Sequence, residues 1–155
     1  MANVVLEYRR LKWNDEYEPL YHYPNIELEQ ILARRECEFF VKNGVTYKQV
    51  SSAKEGNLFV IYVQIYEESA PDTEDSDARE GIKLEIRELN ERQNHPLIQT
   101  YHFHHHLDVL SVIGSVYIYE QGKEWERDSA EIDEDRMVYI LYVTPTGYEL
   151  EEEWS

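Results

Sequence analysis

The chain holds a single cysteine, six glycines and five prolines in 155 residues, and only 15 basic side chains against 32 acidic ones. Each shortage excludes something. A lone Cys37 cannot close an internal disulfide and leaves no cysteine-rich zinc motif, which fits a reducing compartment. Few glycines leave little for phosphate-cradling loops, and the Walker-type, dinucleotide, nucleophile-elbow and H-E-x-x-H patterns are all missing. A formal net charge of −17 repels nucleic-acid phosphates and anionic lipid, so neither is an expected partner. No apolar run approaches the roughly 20 residues a spanning helix needs. Charges directly behind Val4-Val5-Leu6 argue against a secretory leader, and the expected location is the cytoplasm.

What is present suffices for a core, since 42% of the residues are hydrophobic. The charge is uneven: residues 1–66 carry 8 basic and 9 acidic side chains, whereas residues 67–155 carry 7 and 23. Nearly all of the negative field is therefore C-terminal, and it favours a basic protein partner.

The sequence repeats itself at a shift of 78. Leu6, Glu7, Arg9, Leu11, Tyr23 and Gly44 meet Leu84, Glu85, Arg87, Leu89, Tyr101 and Gly122. Each copy opens on period-2 alternation, Val4, Leu6 and Tyr8 in one and Ile82, Leu84 and Ile86 in the other, the pattern of a half-buried strand. In the first copy a polar, proline-containing connection then leads to Asn25, read as the N-cap of a helix striped by Ile26, Leu28, Ile31 and Leu32. In the second, Leu107 and Leu110 suit a helix, but β-branched Val109, Val112 and Ile113 suit a strand as well, so residues 104–113 stay open. Asn43-Gly44 and Gln121-Gly122 each mark a tight hairpin turn, and Leu58–Tyr66 reads as a central strand. The expectation is an α+β fold of two tandem β-α-β-β-β repeats, mainly antiparallel sheet with one helix per repeat, related by a pseudo-twofold. The repeats span 1–66 and 81–148, with an acidic linker at 67–80 and an acidic tail at 149–155. Asp72, Glu74 and Ser76 alternate as in a calcium loop, but Asp77 and Lys83 stand where that loop needs glycine and glutamate.

Two constellations could carry function. Along a strand His102, His104 and His106 would share one face, a spacing that suits Zn²⁺ or a similar ion, with His95 or Asp108 nearby. The acidic segment Glu131, Asp133, Glu134 and Asp135, with Tyr117 and Tyr119, suits a surface for a basic protein, tyrosine being a common interface anchor. Cys37 keeps phase with Phe39 and Val41 and reads as an inert buried thiol. No carboxylate pair stands out as acid and base. The function expected is that of a non-enzymatic binding or regulatory protein, inhibitor- or immunity-like. The alternative is a small-ligand or metal-binding protein, enzymatic in one version, with its site near His102–His106. No cofactor is specified by the sequence.

Overall fold

The computed structural model describes residues 4–70 and 81–150. Most of the expected linker, the calcium-like stretch and most of the acidic tail lie outside these residues. The chain forms β1 (Val4–Leu11), β2 (Tyr17–Ile26), α1 (Leu28–Arg35), β3 (Phe39–Lys42), β4 (Val45–Glu55) and β5 (Leu58–Glu68). It continues with β6 (Ile82–Glu88), β7 (Leu97–Phe103), α2 (His106–Ile113), β8 (Tyr117–Glu120), β9 (Lys123–Asp133) and β10 (Val138–Glu149). The class is α+β: the described residues form one mixed sheet of ten strands and two α-helices. Among the described residues, no helix is long and apolar enough to cross a membrane.

The strand order is β2-β1-β5-β4-β3-β9-β10-β6-β7, with β8 attached to β9. The two halves pair alike. β1 is antiparallel to β2 and parallel to β5, while β6 is antiparallel to β7 and parallel to β10. β4 and β9 each pair antiparallel with the strand before and the strand after. Both carry a register shift, passing Val50 in β4 and Asp128 in β9. Just before each shift a side chain reaches back to a carbonyl at its own helix end: Gln49 Nε2 donates to Arg35 O at 3.1 Å, and Arg127 Nε to Ile113 O at 2.5 Å. Asn43-Gly44 and Gln121-Gly122 both turn with positive φ at both residues, as their hairpins require.

One correction to the sequence reading concerns the expected connection. Each half is β-β-α-β-β-β, because the polar segments before the helices are strands. β2 contains Pro19 and Pro24, which withhold two amide donors, and it is tolerated as a strand because it lies at the edge of the sheet. Asn25 is accordingly in a strand and caps nothing. The cap position of α1 belongs to Glu27, whose side chain makes no capping bond. Residues 106–113 are helical despite three β-branched residues, since Val109 and Ile113 are completely buried and that burial outweighs the weak propensity.

Both helices pack on one face of the sheet and against each other. Ile31, Ala33, Val109 and Ile113 meet Leu6, Tyr8, Phe40, Ile61, Leu84, Leu141 and Val143 in a single core. Cys37 lies within it, its Sγ donating to Ala33 O at 3.4 Å, and burial pushes its thiol pKa up. The halves join at the middle of the sheet, where β3 runs parallel to the end of β9 and pairs Phe39–Val41 with Glu131–Asp133.

Candidate functional site

Strand alternation decides which side chains leave the core. In β9, Ala130 and Ile132 point to the helices, while Ser129, Glu131 and Asp133 point to the opposite face. Phe39, opposite Glu131 in the register, and Tyr142 in β10 share that outer face. Two adjoining grooves form there, of about 380 and about 220 Å³. Thr46, Glu67, Glu131 and Tyr142 line both; Phe39, Tyr66 and His95 line the larger, and Asp133 and Asp135 the smaller. The rings of Phe39 and Tyr66 meet edge-on at 5.0 Å, and those of His95 and Tyr142 at 5.2 Å.

The electrostatics of this face are lopsided. Glu85 gathers three cations, Arg136 at 2.8 Å, Arg87 at 2.9 Å and Lys83 at 3.6 Å. Burial alone would raise its carboxyl pKa, but the bonds from Arg136 and Arg87 hold it below the ordinary value. Glu131 receives less help: the charge of Arg136 favours its ionised form, but it has no hydrogen-bond or ion-pair partner among the described residues. Burial first, and Asp133 next, push it up to about 7. Burial likewise raises Asp133, although its Oδ1 accepts from the backbone amides of Asp135 and Arg136.

Besides Asp133, two more of the four expected partner-binding acids are engaged within the chain. Glu134 turns to the helix side, where its Oε2 accepts from Arg34 Nη1 at 2.8 Å and from the Tyr23 hydroxyl, and its Oε1 from Lys42 Nζ at 2.9 Å. Burial would raise its pKa, and Arg34, Tyr23 and Lys42 together bring it below the ordinary value. Asp135 accepts from the amides of Asn43 and Gly44, at 2.7 and 2.8 Å, and so holds the β3–β4 turn from the other half. Tyr117 and Tyr119 are exposed on β8 and line neither groove; the Tyr119 hydroxyl donates to Glu124.

The histidines do not share a face. His102 ends up in β7, His104 in the bend that follows, and His106 opens α2, because the chain leaves the strand at Phe103 and the alternation stops. Among the described residues no three His, Cys, Asp or Glu side chains are grouped as a metal site. His106 instead borders a cavity of about 210 Å³ beside the helices, together with Arg34, Gly81, Ile132, Met137 and Tyr139. Gly81 is held at φ +112°, and a Cβ there would lie 2.8 Å from Phe103 O, so the close approach of β6 to β7 at the cavity requires glycine.

Sequence reasoning singled out Glu131 and Asp133, and Tyr139 and Tyr142 among the strand tyrosines, but missed Glu67 and Arg34. The common phase of Glu131 and Asp133 in a strand was a usable signal for the outer face. Arg34 offered none, being one of two adjacent arginines on a helix. Comparison with family models, curated proteins and solved structures finds no match to this chain.

Proposed function

We propose that the chain is a non-enzymatic cytosolic binding protein whose outer sheet face receives a basic protein partner, in the manner of an inhibitor or immunity protein that masks a cationic surface. The observation that carries this reading is Glu131: a half-buried carboxylate that makes no hydrogen bond or ion pair among the described residues, where two grooves lined by Glu67, Asp133 and Asp135 meet. A lysine or arginine entering there supplies the missing charge, pulls the Glu131 pKa down and releases a proton. Phe39, Tyr66 and Tyr142 give the cation's aliphatic stem and its neighbours an aromatic wall, the usual composition of an interface centre. The net charge of −17 adds long-range steering and disfavours nucleic acid.

The same reading treats the halves as two copies of one unit about a pseudo-twofold. Their matching pairings, register shifts and turn conformations support it, as does the Glu–Arg pair each half places on its first strand, Glu7 with Arg9 and Glu85 with Arg87. In the second copy the acidic residues of β9 then adapt a shared framework to binding. Glu134 and Asp135 serve in this scheme as the internal clasp between copies, and the contact surface consists of Glu131, Asp133 and Glu67.

The test uses a basic protein recovered by affinity capture on the full chain. Its on-rate should fall markedly between about 0.1 and 1 M salt, where the screening length drops from about 10 to about 3 Å. Glu131→Lys with Glu67→Lys should abolish binding, while reversing the acids at 72–77 should only slow it. A partner that binds both variants equally, or is indifferent to salt, refutes the assignment of this face.

A further inference from the structure

The two halves differ in how their short hairpin strands are paired. β3 and β8 are four residues long, and β3 is paired on both edges, with β4 and with β9. Among the described residues β8 is paired on one edge only, with β9. The β8–β9 hairpin turns on Gln121 and Gly122, so Glu120 and Lys123 form a hydrogen-bonded pair, and ladder alternation makes Ile118 and Trp125 the next such pair. Arg127 N on Val116 O continues the series. The amides and carbonyls of Tyr117 and Tyr119 therefore point away from β9. In β3 the groups that point away from its hairpin partner belong to Phe39 and Val41, and these meet β9, with Glu134 N donating to Val41 O. Tyr117 and Tyr119 meet no strand among the described residues.

Elsewhere the free edges are blunted. β2 carries Pro19 and Pro24, and the stretch of β4 beyond β3 carries Lys54. On β7, Gln121 Nε2 donates to Ile98 O and the Gln99 side chain accepts from Thr100 N. β8 has no proline, and no side chain of the described residues bonds to the main chain of Tyr117 or Tyr119. Its shortness is no bar, since β3 takes a parallel strand over Phe39–Val41 alone.

The surrounding side chains select what can join this edge. Tyr117 and Tyr119 are half exposed and stand across from Glu126 and Glu124, while Ile118 packs toward the core opposite Trp125. An added strand meets tyrosine rings and carboxylates on one face and hydrocarbon on the other. Lysine or arginine alternating with aliphatic residues fits both. The net charge of −17 opposes a second copy of this chain in that place. We propose that a basic protein partner adds an extended segment to β8, parallel to it and bonded to the main chain of Tyr117 and Tyr119, as β9 is added to β3. The partner's charge rests on the function proposed above; the free edge does not.

The probe is a capped hexapeptide alternating lysine and valine, titrated by NMR into the full, isotopically labelled chain. The Tyr117 and Tyr119 amides should shift saturably and exchange with solvent at least tenfold more slowly, while the Ile118 amide, already bonded to β9, changes little. Two peptides N-methylated at alternate positions keep the side chains and the charge, and the one that loses the donors facing β8 should bind at least tenfold more weakly than the other. Glu131→Lys with Glu67→Lys should bind the hexapeptide within about threefold of the wild type. Equal binding of the two methylated peptides, unmoved Tyr117 and Tyr119 amides, or loss of binding in the Glu131 and Glu67 variant would each overturn strand addition, and the last would place the peptide in the grooves. A chain already dimeric, with these amides protected before peptide is added, would give the edge to a second copy and overturn it too. Threonine in place of lysine should weaken binding at least fivefold; equal binding would refute the partner's charge here and in the function proposed above.

Discussion

Replacing Glu131 by glutamine should stabilise the protein above neutral pH. A carboxyl raised from an ordinary 4.5 to about 7 favours the protonated form in the folded chain by about 3 kcal/mol, at 1.36 kcal/mol per pKa unit. The folded state binds the extra proton between these two values, so this group's contribution is greatest below pH 4.5, declines as pH rises toward 7 and then levels off. Asp133 acts in the same direction. Glu38, Glu85 and Glu134 have lowered values and act oppositely, but at lower pH: their contribution is present above 4.5 and lost as pH falls through their folded values. His106, also lowered, adds stability as pH rises through its own titration. The difference between wild type and Glu131→Gln separates Glu131 from these. Burying the glutamine amide takes back part of the gain, leaving about 2–3 kcal/mol at pH 8 and little at pH 4.5. For a chain of this length that is about 5–10 °C in melting temperature. Urea unfolding at pH 5, 6, 7 and 8 measures the difference directly. A variant that parallels the wild type across the series would show that Glu131 ionises without penalty, and the reading of the grooves as charge-deficient would be wrong.

Glu134→Ala leaves the buried Arg34 without its carboxylate and should cost about 3–5 kcal/mol in urea unfolding, whereas Glu134→Gln, which keeps an acceptor for Arg34 and Tyr23, should cost clearly less. Equal losses would mean that the charge, which both variants remove, carries the clasp and the retained acceptor contributes nothing. Protein purified without a metal-affinity tag should keep its melting temperature in excess EDTA, because His102, His104 and His106 do not converge; a fall of several degrees, reversed by zinc, would contradict that geometry.

The elements most legible in the sequence were those specified locally. Asn43-Gly44 and Gln121-Gly122 marked their turns because few residues tolerate positive φ, and the alternation of Leu6 with Tyr8 and of Leu84 with Ile86 announced half-buried strands. The edge strands were hidden. Tyr17–Ile26 reads as loop because prolines and charges are acceptable only where one side of a strand faces no neighbour, and that is settled by the rest of the sheet. The second helix was ambiguous for a related reason: its β-branched residues pack in a core that the local sequence cannot display. At the grooves, the acids were visible but their environments were not. Neighbours in sequence, Asp133, Glu134 and Asp135 have quite different surroundings, and what separates them is Arg34, Lys42 and the Asn43-Gly44 turn, about 90–100 residues away.

The short parallel seam between β3 and β9 bears on how the chain reaches its native state. Within each half, the hairpins close over a few residues, whereas the seam and the Asp135 grip on Asn43 join points 92 residues apart. Closing so large a loop is entropically unfavourable until both ends present finished surfaces. The halves should therefore organise separately and dock late. In the native protein the seam amides, such as Glu134 N on Val41 O, would then exchange with solvent through a separation of the halves that leaves each hairpin intact. A basic ligand held across Glu67 and Glu131 spans that same division, and would slow its opening from outside the sheet.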